Sequence, residues 1–154
     1  MAEHQELKGH TYQVRLWPKM WLEYAGVATV PWTIAKLEQP KRATIPTRSG
    51  IYTLVVQPGI AAHPLNAYLF YVGKAEASLR SRFAAYLDEK RRIDGRPKVY
   101  TILNQYPEHT WFCYAEFPKA GLGVVEDGFI ATFLPFANTR FPARVSAIIK
   151  AAFG

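Results

Sequence analysis

Several residues in this chain are of types that handle phosphate, and they come in a definite order. Gly50-Ile51-Tyr52 ends a loop and opens a β-type run, and Tyr71-Val72-Gly73-Lys74-Ala75 closes the next such run. Arg82 and Tyr86 follow, four apart and so on one face of a helix. Far downstream come Glu126, in a helical stretch, and Asn138, in Pro135-Phe136-Ala137-Asn138. An ionised glutamate is acceptor-only and can hold one divalent cation. A guanidinium offers a planar fork of donors matched to a phosphate. A tyrosine can orient or deprotonate a water, but its ordinary pKa of about 10 means it needs help. A neighbouring lysine such as Lys74, with the field of a bound metal, would supply that help. Together these residues suit metal-assisted phosphoryl transfer.

The ordered set resembles the GIY-YIG nuclease family, and most closely the nuclease domain of the bacterial excision-repair incision enzyme and its small single-domain relatives. The features that match in order are the Gly-Ile-Tyr triplet, the Tyr-Val-Gly-Lys-Ala string, Arg82-x-x-x-Tyr86, the helical Glu126 and the Pro-x-x-Asn ending at Asn138. Gly-Ile-Tyr alone is a weak signal; the ordered set is a strong one. The likeness covers about residues 50–140 and implies a metal-dependent DNA endonuclease. It implies that Tyr52 and Tyr71 line the site from adjacent strands, with either one open as the general base. Tyr86 would give a phosphate a hydrogen bond, Glu126 would hold the metal, and Asn138 would brace the site from behind. Magnesium is the implied ion, by its preference for oxygen ligands and phosphates, with manganese as the substitute.

Two departures from the family pattern stand out. The connection between the two tyrosine motifs is long, which predicts an enlarged hairpin loop around residues 57–67. The helix arginine also lies one residue further from Tyr71 than in the closest relatives. Arg80 is therefore a rival to Arg82, and the Arg82-to-Tyr86 spacing favours Arg82. Beyond the motif, Lys90, Arg91, Arg92, Arg96 and Lys98 crowd one short stretch. They read either as a solvated helix end or as a clamp on the nucleic-acid backbone.

Positioning these residues calls for an α/β domain of the α+β type, with a small, mainly antiparallel three-stranded sheet flanked by helices. The expected strands are 51–56, 67–72 and 110–115, each rich in β-branched or aromatic residues. Expected helices cover 78–92, 99–105, 124–134 and 143–152. Leu79, Phe83 and Leu87 form the apolar stripe of the first, with Ser78 as its cap. Asp94-Gly95-Arg96-Pro97 breaks that helix. Residues 1–49 read as an N-terminal extension packed on the main domain, 50–154. Within the extension, 11–17 alternates like a strand and 39–42 reads as a turn.

A chain of 154 residues suits one core. The net charge of +7 favours polyanionic partners such as DNA, and charge alone does not separate DNA from RNA. One cysteine, Cys113, allows no internal disulfide and reads as a buried thiol. His4, His10, His63 and His109 have no zinc-site spacing. No apolar run is long enough for a membrane span, and no secretion signal opens the chain, so a cytoplasmic protein is expected. Monomer and homodimer are both open. The other function class in view is a nucleic-acid-binding module that keeps the fold without turnover. The presence of both Glu126 and Arg82 argues against it.

Overall fold

The structure is a computed structural model that describes residues 2–26, 29–59, 65–92 and 96–154. It is an α+β domain whose antiparallel sheet has four strands, where three were expected. The strands are β1 (Thr33–Lys36), β2 (Gly50–Val56), β3 (Tyr68–Ala75) and β4 (Thr110–Glu116), in the spatial order β1-β4-β2-β3. The additional strand, β1, comes from the segment read as an extension. It pairs along β4 from Thr33 opposite Tyr114 to Lys36 opposite Trp111. Four residues are too few to show a period, and Ile34 is exposed on the open edge. Pairing with β4, not local pattern, makes this stretch a strand.

The sheet carries an apolar layer on each face. On one, α3 (Leu79–Glu89) and α4 (Pro97–Gln105) bury Leu79, Phe83, Tyr86, Val99, Ile102 and Leu103 against Tyr52, Leu54 and Phe112. On the other, α5 (Leu122–Phe133) packs Leu122, Val125 and Ile130 on Ile51, Val72 and Ala115. Two more helices, α2 (Pro18–Tyr24) and α6 (Ala143–Phe153), close over the back of α5 through Met20, Ala131, Leu134 and Val145. The first helix, α1 (Glu3–Gly9), buries no residue. Ser78 caps α3 as expected, its side chain accepting from the Ser81 N–H.

Residues 11–17 do not form the expected strand. The sheet has two edges, β1 and β3, and part of the β3 edge is already taken. Ala137 N–H donates to the Phe70 carbonyl, and the Asn138 amide pairs with Val72. Tyr12 packs edge-on to Phe136 instead, so the alternation in this stretch records side-chain packing without a ladder. The 39–42 turn tightens into a 3-10 segment, Gln39–Thr44. The expected loop at His63-Pro64 and the breaker Asp94-Gly95 lie outside the described residues.

The two motif glycines are close-approach positions. A Cβ on Gly50 would stand 2.3 Å from the Ala115 carbonyl oxygen and 2.7 Å from Leu79 Cδ1. A Cβ on Gly73 would stand 2.4 Å from the Tyr52 hydroxyl oxygen. Gly73 is the cross-strand partner of Tyr52, so its missing side chain is the space in which the tyrosine lies. The Gly50 clash is with backbone and cannot be relieved by a rotamer change. Gly50→Ala should therefore destabilise the fold by about 1–3 kcal/mol, an overpacking cost readable by urea unfolding. An unchanged midpoint would mean that β4 moves away freely.

Candidate functional site

The sequence motifs converge around the edge strand β3, on both of its faces. Successive strand residues point to opposite sides. Tyr71 shares the α3 side with Tyr52, while Lys74 falls on the α5 side with Glu126. The two sides meet in a cleft of about 840 Å³ lined by Tyr71, Lys74, Arg96, Glu126, Asp127 and Asn138, among others. A smaller hollow of about 530 Å³ adjoins it, lined by Lys74, Ser78, Ser81 and Arg82. Lys74 belongs to both. Its ammonium is 3.5 Å from a Glu126 carboxylate oxygen and 3.4 Å from Glu76. Glu126 attracts the Lys74 proton most strongly and holds the lysine above its ordinary range.

Three tyrosines cluster beneath the cleft, and they are not equivalent. Tyr52 is 2% exposed and Tyr86 is fully buried, and their hydroxyls share a 2.8 Å hydrogen bond. The Tyr52 ring stacks on Phe112 at 5.0 Å and lies 5.7 Å from the Tyr86 ring. Burial disfavours the phenolate and pushes both hydroxyls well up, so each stays protonated at neutral pH. Neither side chain lines the cleft, in contrast to the expectation for Tyr52 and to the phosphate contact expected of Tyr86. Tyr71 is half-buried and does line it. Its hydroxyl oxygen accepts from Arg96 Nη1 at 2.8 Å.

The rival arginines separate cleanly. Arg80 donates to the carbonyls of Ile45 (2.8 Å) and Ala43 (3.0 Å), which ties α3 to the 3-10 segment. Arg82 is exposed, without an ion pair among the described residues, and its charge favours the Tyr52 phenolate. Asn138 is buried and works as a one-residue strand. Its Oδ1 accepts from Val72 N–H at 2.9 Å, and its Nδ2 donates to the Val72 carbonyl at 2.8 Å. Those two bonds fix the stretch of β3 between Tyr71 and Lys74.

The basic stretch divides by task. Lys90 donates to the carbonyls of Leu37 (2.8 Å) and Pro107 (2.7 Å), a structural clasp in place of the expected backbone contact. Burial lowers its pKa. Arg91 and Arg92 are exposed and carry no ion pair among the described residues. Lys98 lies over the Phe136 ring at 5.1 Å and lines the cleft. Arg96 is turned inward, onto Tyr71 and Glu89. Sequence reasoning named Arg96 only within the basic stretch and did not name Glu89, because nothing in their spacing separates them from a solvated helix end. Cys113 is half-buried and its thiol is pushed up by burial, as expected of an inert one. Trp32 lies against Phe129 at 5.5 Å and Trp21 donates to the Thr132 carbonyl, so both serve in packing.

The donor set fits a divalent ion of the magnesium type. Glu126 is a half-buried carboxylate at the cleft wall, and Asp127 lines the same cleft. Magnesium keeps several waters and takes only one or two carboxylates beside substrate phosphates. Among the described residues no three His, Cys, Asp or Glu side chains gather into an all-protein cage, and such a site needs none.

Burial raises the Glu126 pKa above its ordinary 4.5, and the Lys74 ion pair offsets this only in part. A folded-state pKa above the unfolded one means stability is complete below the ordinary carboxylate range and declines as pH rises through the folded value. Glu126→Gln removes that decline. It should melt with the wild type at about pH 4 and above it at about pH 8 in thermal unfolding. A lower midpoint at the higher pH would show that the Lys74 pair is net stabilising. Asn138→Ala strands a buried N–H and C=O on β3. It should lower stability by about 2–4 kcal/mol in denaturant unfolding, and a loss well below 1 kcal/mol would mean that water replaces the amide.

Set beside known proteins, the chain matches no protein-family model, no curated protein and no solved structure.

Proposed function

We propose that the protein is a metal-dependent endonuclease of the GIY-YIG kind that hydrolyses phosphodiester bonds in DNA. The observation that carries this reading is the convergence of Tyr71, Lys74 and Glu126 on one cleft, with Asn138 holding the strand between them. Three well-separated stretches of sequence supply those residues, and their types are the ones that phosphodiester hydrolysis uses.

Tyr71 is the general base in this reading. Tyr52 and Tyr86 are buried with raised pKa values and hydrogen-bonded to each other, which leaves Tyr71 as the hydroxyl in reach of a water in the cleft. As the phenolate it takes a proton from that water as the water oxygen bonds to phosphorus, and the leaving sugar oxygen takes a proton from solvent. The bond from phosphorus to the leaving sugar oxygen breaks opposite. Lys74 lies beside the phosphate, and Arg82 reaches it from the adjoining hollow, each meeting negative charge that grows in the transition state. Glu126, with Asp127 beside it, would hold the divalent ion, which when bound polarises the scissile phosphate. Arg91 and Arg92 offer free charge to the flanking backbone.

One observation favours a second reading, a nucleic-acid-binding module without turnover. Lys74 already neutralises Glu126 in the folded protein. Cleavage decides between them. Supercoiled plasmid should be nicked or linearised only with magnesium or manganese, and Glu126→Gln should abolish cutting while DNA binding persists. Tyr71→Phe should lower turnover by about 10²–10⁴-fold, the usual worth of a positioned base. Binding without cutting under every metal and salt condition would establish the module. Replacing Arg91 and Arg92 by alanine should weaken binding alike for all sequences and flatten its salt dependence by about one unit of slope per lost phosphate contact. A loss confined to one DNA sequence would contradict the backbone role.

A further inference from the structure

Arg96 opens α4, next to Pro97, and its position in the sequence is that of a surface charge. In the fold one side of its guanidinium is held by partners, while the side chain stays 47% exposed. Nη1 donates to the Tyr71 hydroxyl oxygen at 2.8 Å. The guanidinium carbon lies 5.0 Å from the Tyr71 ring centre and 5.1 Å from that of Tyr86. Nη2 stands 3.4 Å from a Glu89 carboxylate oxygen. The other oxygen of that carboxylate accepts from the Arg96 main-chain N–H at 3.3 Å. Glu89, 14% exposed at its side chain, thus holds both the backbone and the head of Arg96 from the last turn of α3.

We propose that Arg96 is a positioning residue, which aims the Tyr71 hydroxyl into the cleft and spends its charge there instead of on the DNA backbone. The inference rests on the nuclease reading above. A phenolic oxygen that accepts from a fixed guanidinium has its direction set, and at Tyr71 a remaining lone pair is left for a water in the cleft. The flat guanidinium also fits against two aromatic rings while its edge reaches Tyr71 and Glu89 together. A lysine ammonium has neither the plane nor the fork, so it cannot make these contacts at once. Arg82 lines the adjoining hollow and makes no hydrogen bond to Tyr71 among the described residues. Tyr71, Arg96 and Glu89 form a relay of orientation in which only Tyr71 meets the reacting water.

The test separates turnover from affinity. Arg96→Ala should lower kcat for plasmid nicking by about 10–100-fold, the scale on which lost orientation is felt, while the DNA Kd stays within about twofold. Arg96→Lys should not restore kcat, and Glu89→Gln should fall between the wild type and Arg96→Ala. Arg91→Ala with Arg92→Ala should instead weaken Kd. An Arg96→Ala variant that binds DNA less tightly and turns over normally would overturn the proposal, making Arg96 a backbone contact. Thermal unfolding of Arg96→Ala, Tyr71→Phe and the double variant supplies a readout independent of cutting. The two shifts should fail to add, as they do for residues in contact. Strict additivity would overturn the proposal whatever the kinetics. Coupling in a wild-type protein that cuts no DNA under any metal condition would leave Arg96 a purely structural contact and remove the nuclease reading with it.

Discussion

The whole site depends on one close approach, the Tyr52 ring laid across Gly73 of the neighbouring strand. No side chain at position 73 could share that space. With the ring in place, its hydroxyl reaches Tyr86 on α3 and its face meets Phe112 on β4. Strand β2, strand β4 and helix α3 are thereby locked to one another through a single aromatic group. Tyr71 and Lys74 flank Gly73 at the edge of the sheet, so the same contact sets where they stand. A shift of β3 by one residue would turn both to the wrong faces.

The two sides of the sheet have different jobs. The α3 side is aromatic and dry, with Tyr52, Tyr86, Phe83 and Phe112 forming a rigid floor. The α5 side brings a half-buried carboxylate to a lysine at the rim of the cleft. Holding Glu126 ionised there opposes burial, and that cost is of the kind found where a charged group is kept for use. The proposed chemistry takes place where these sides meet, around an edge strand pinned by Asn138. An edge otherwise open to pairing is closed by a side-chain amide that imitates a backbone.

The basic residues show how little charge alone says about use. Lys90, Arg91, Arg92 and Arg96 sit in a run that looks uniform in sequence, and Arg80 lies on the helix before it. Lys90 and Arg80 bind main-chain carbonyls and hold elements together. Arg96 is folded in over two tyrosines. Arg91 and Arg92 are left in solvent. Long side chains on one short stretch can reach very different surroundings, and which they reach depends on what the neighbouring elements put within range.

By itself the sequence determined much of the fold. β-branched and aromatic runs placed β2, β3 and β4, and apolar stripes with the Ser78 cap placed α3, because these signals are local and periodic. Of the residues in the ordered motifs, Tyr71, Lys74, Glu126 and Asn138 line one cleft. Only the tertiary structure decided the rest. Residues 33–36 became a strand because β4 had an edge to pair with, while 11–17 packs through Tyr12 on Phe136 instead. Which tyrosine faces the cleft, which arginine stays free, and that Arg96 turns inward depend on contacts between residues far apart in the chain. Burial and hydrogen-bond partners arise only when distant elements pack, and no spacing along the chain encodes them.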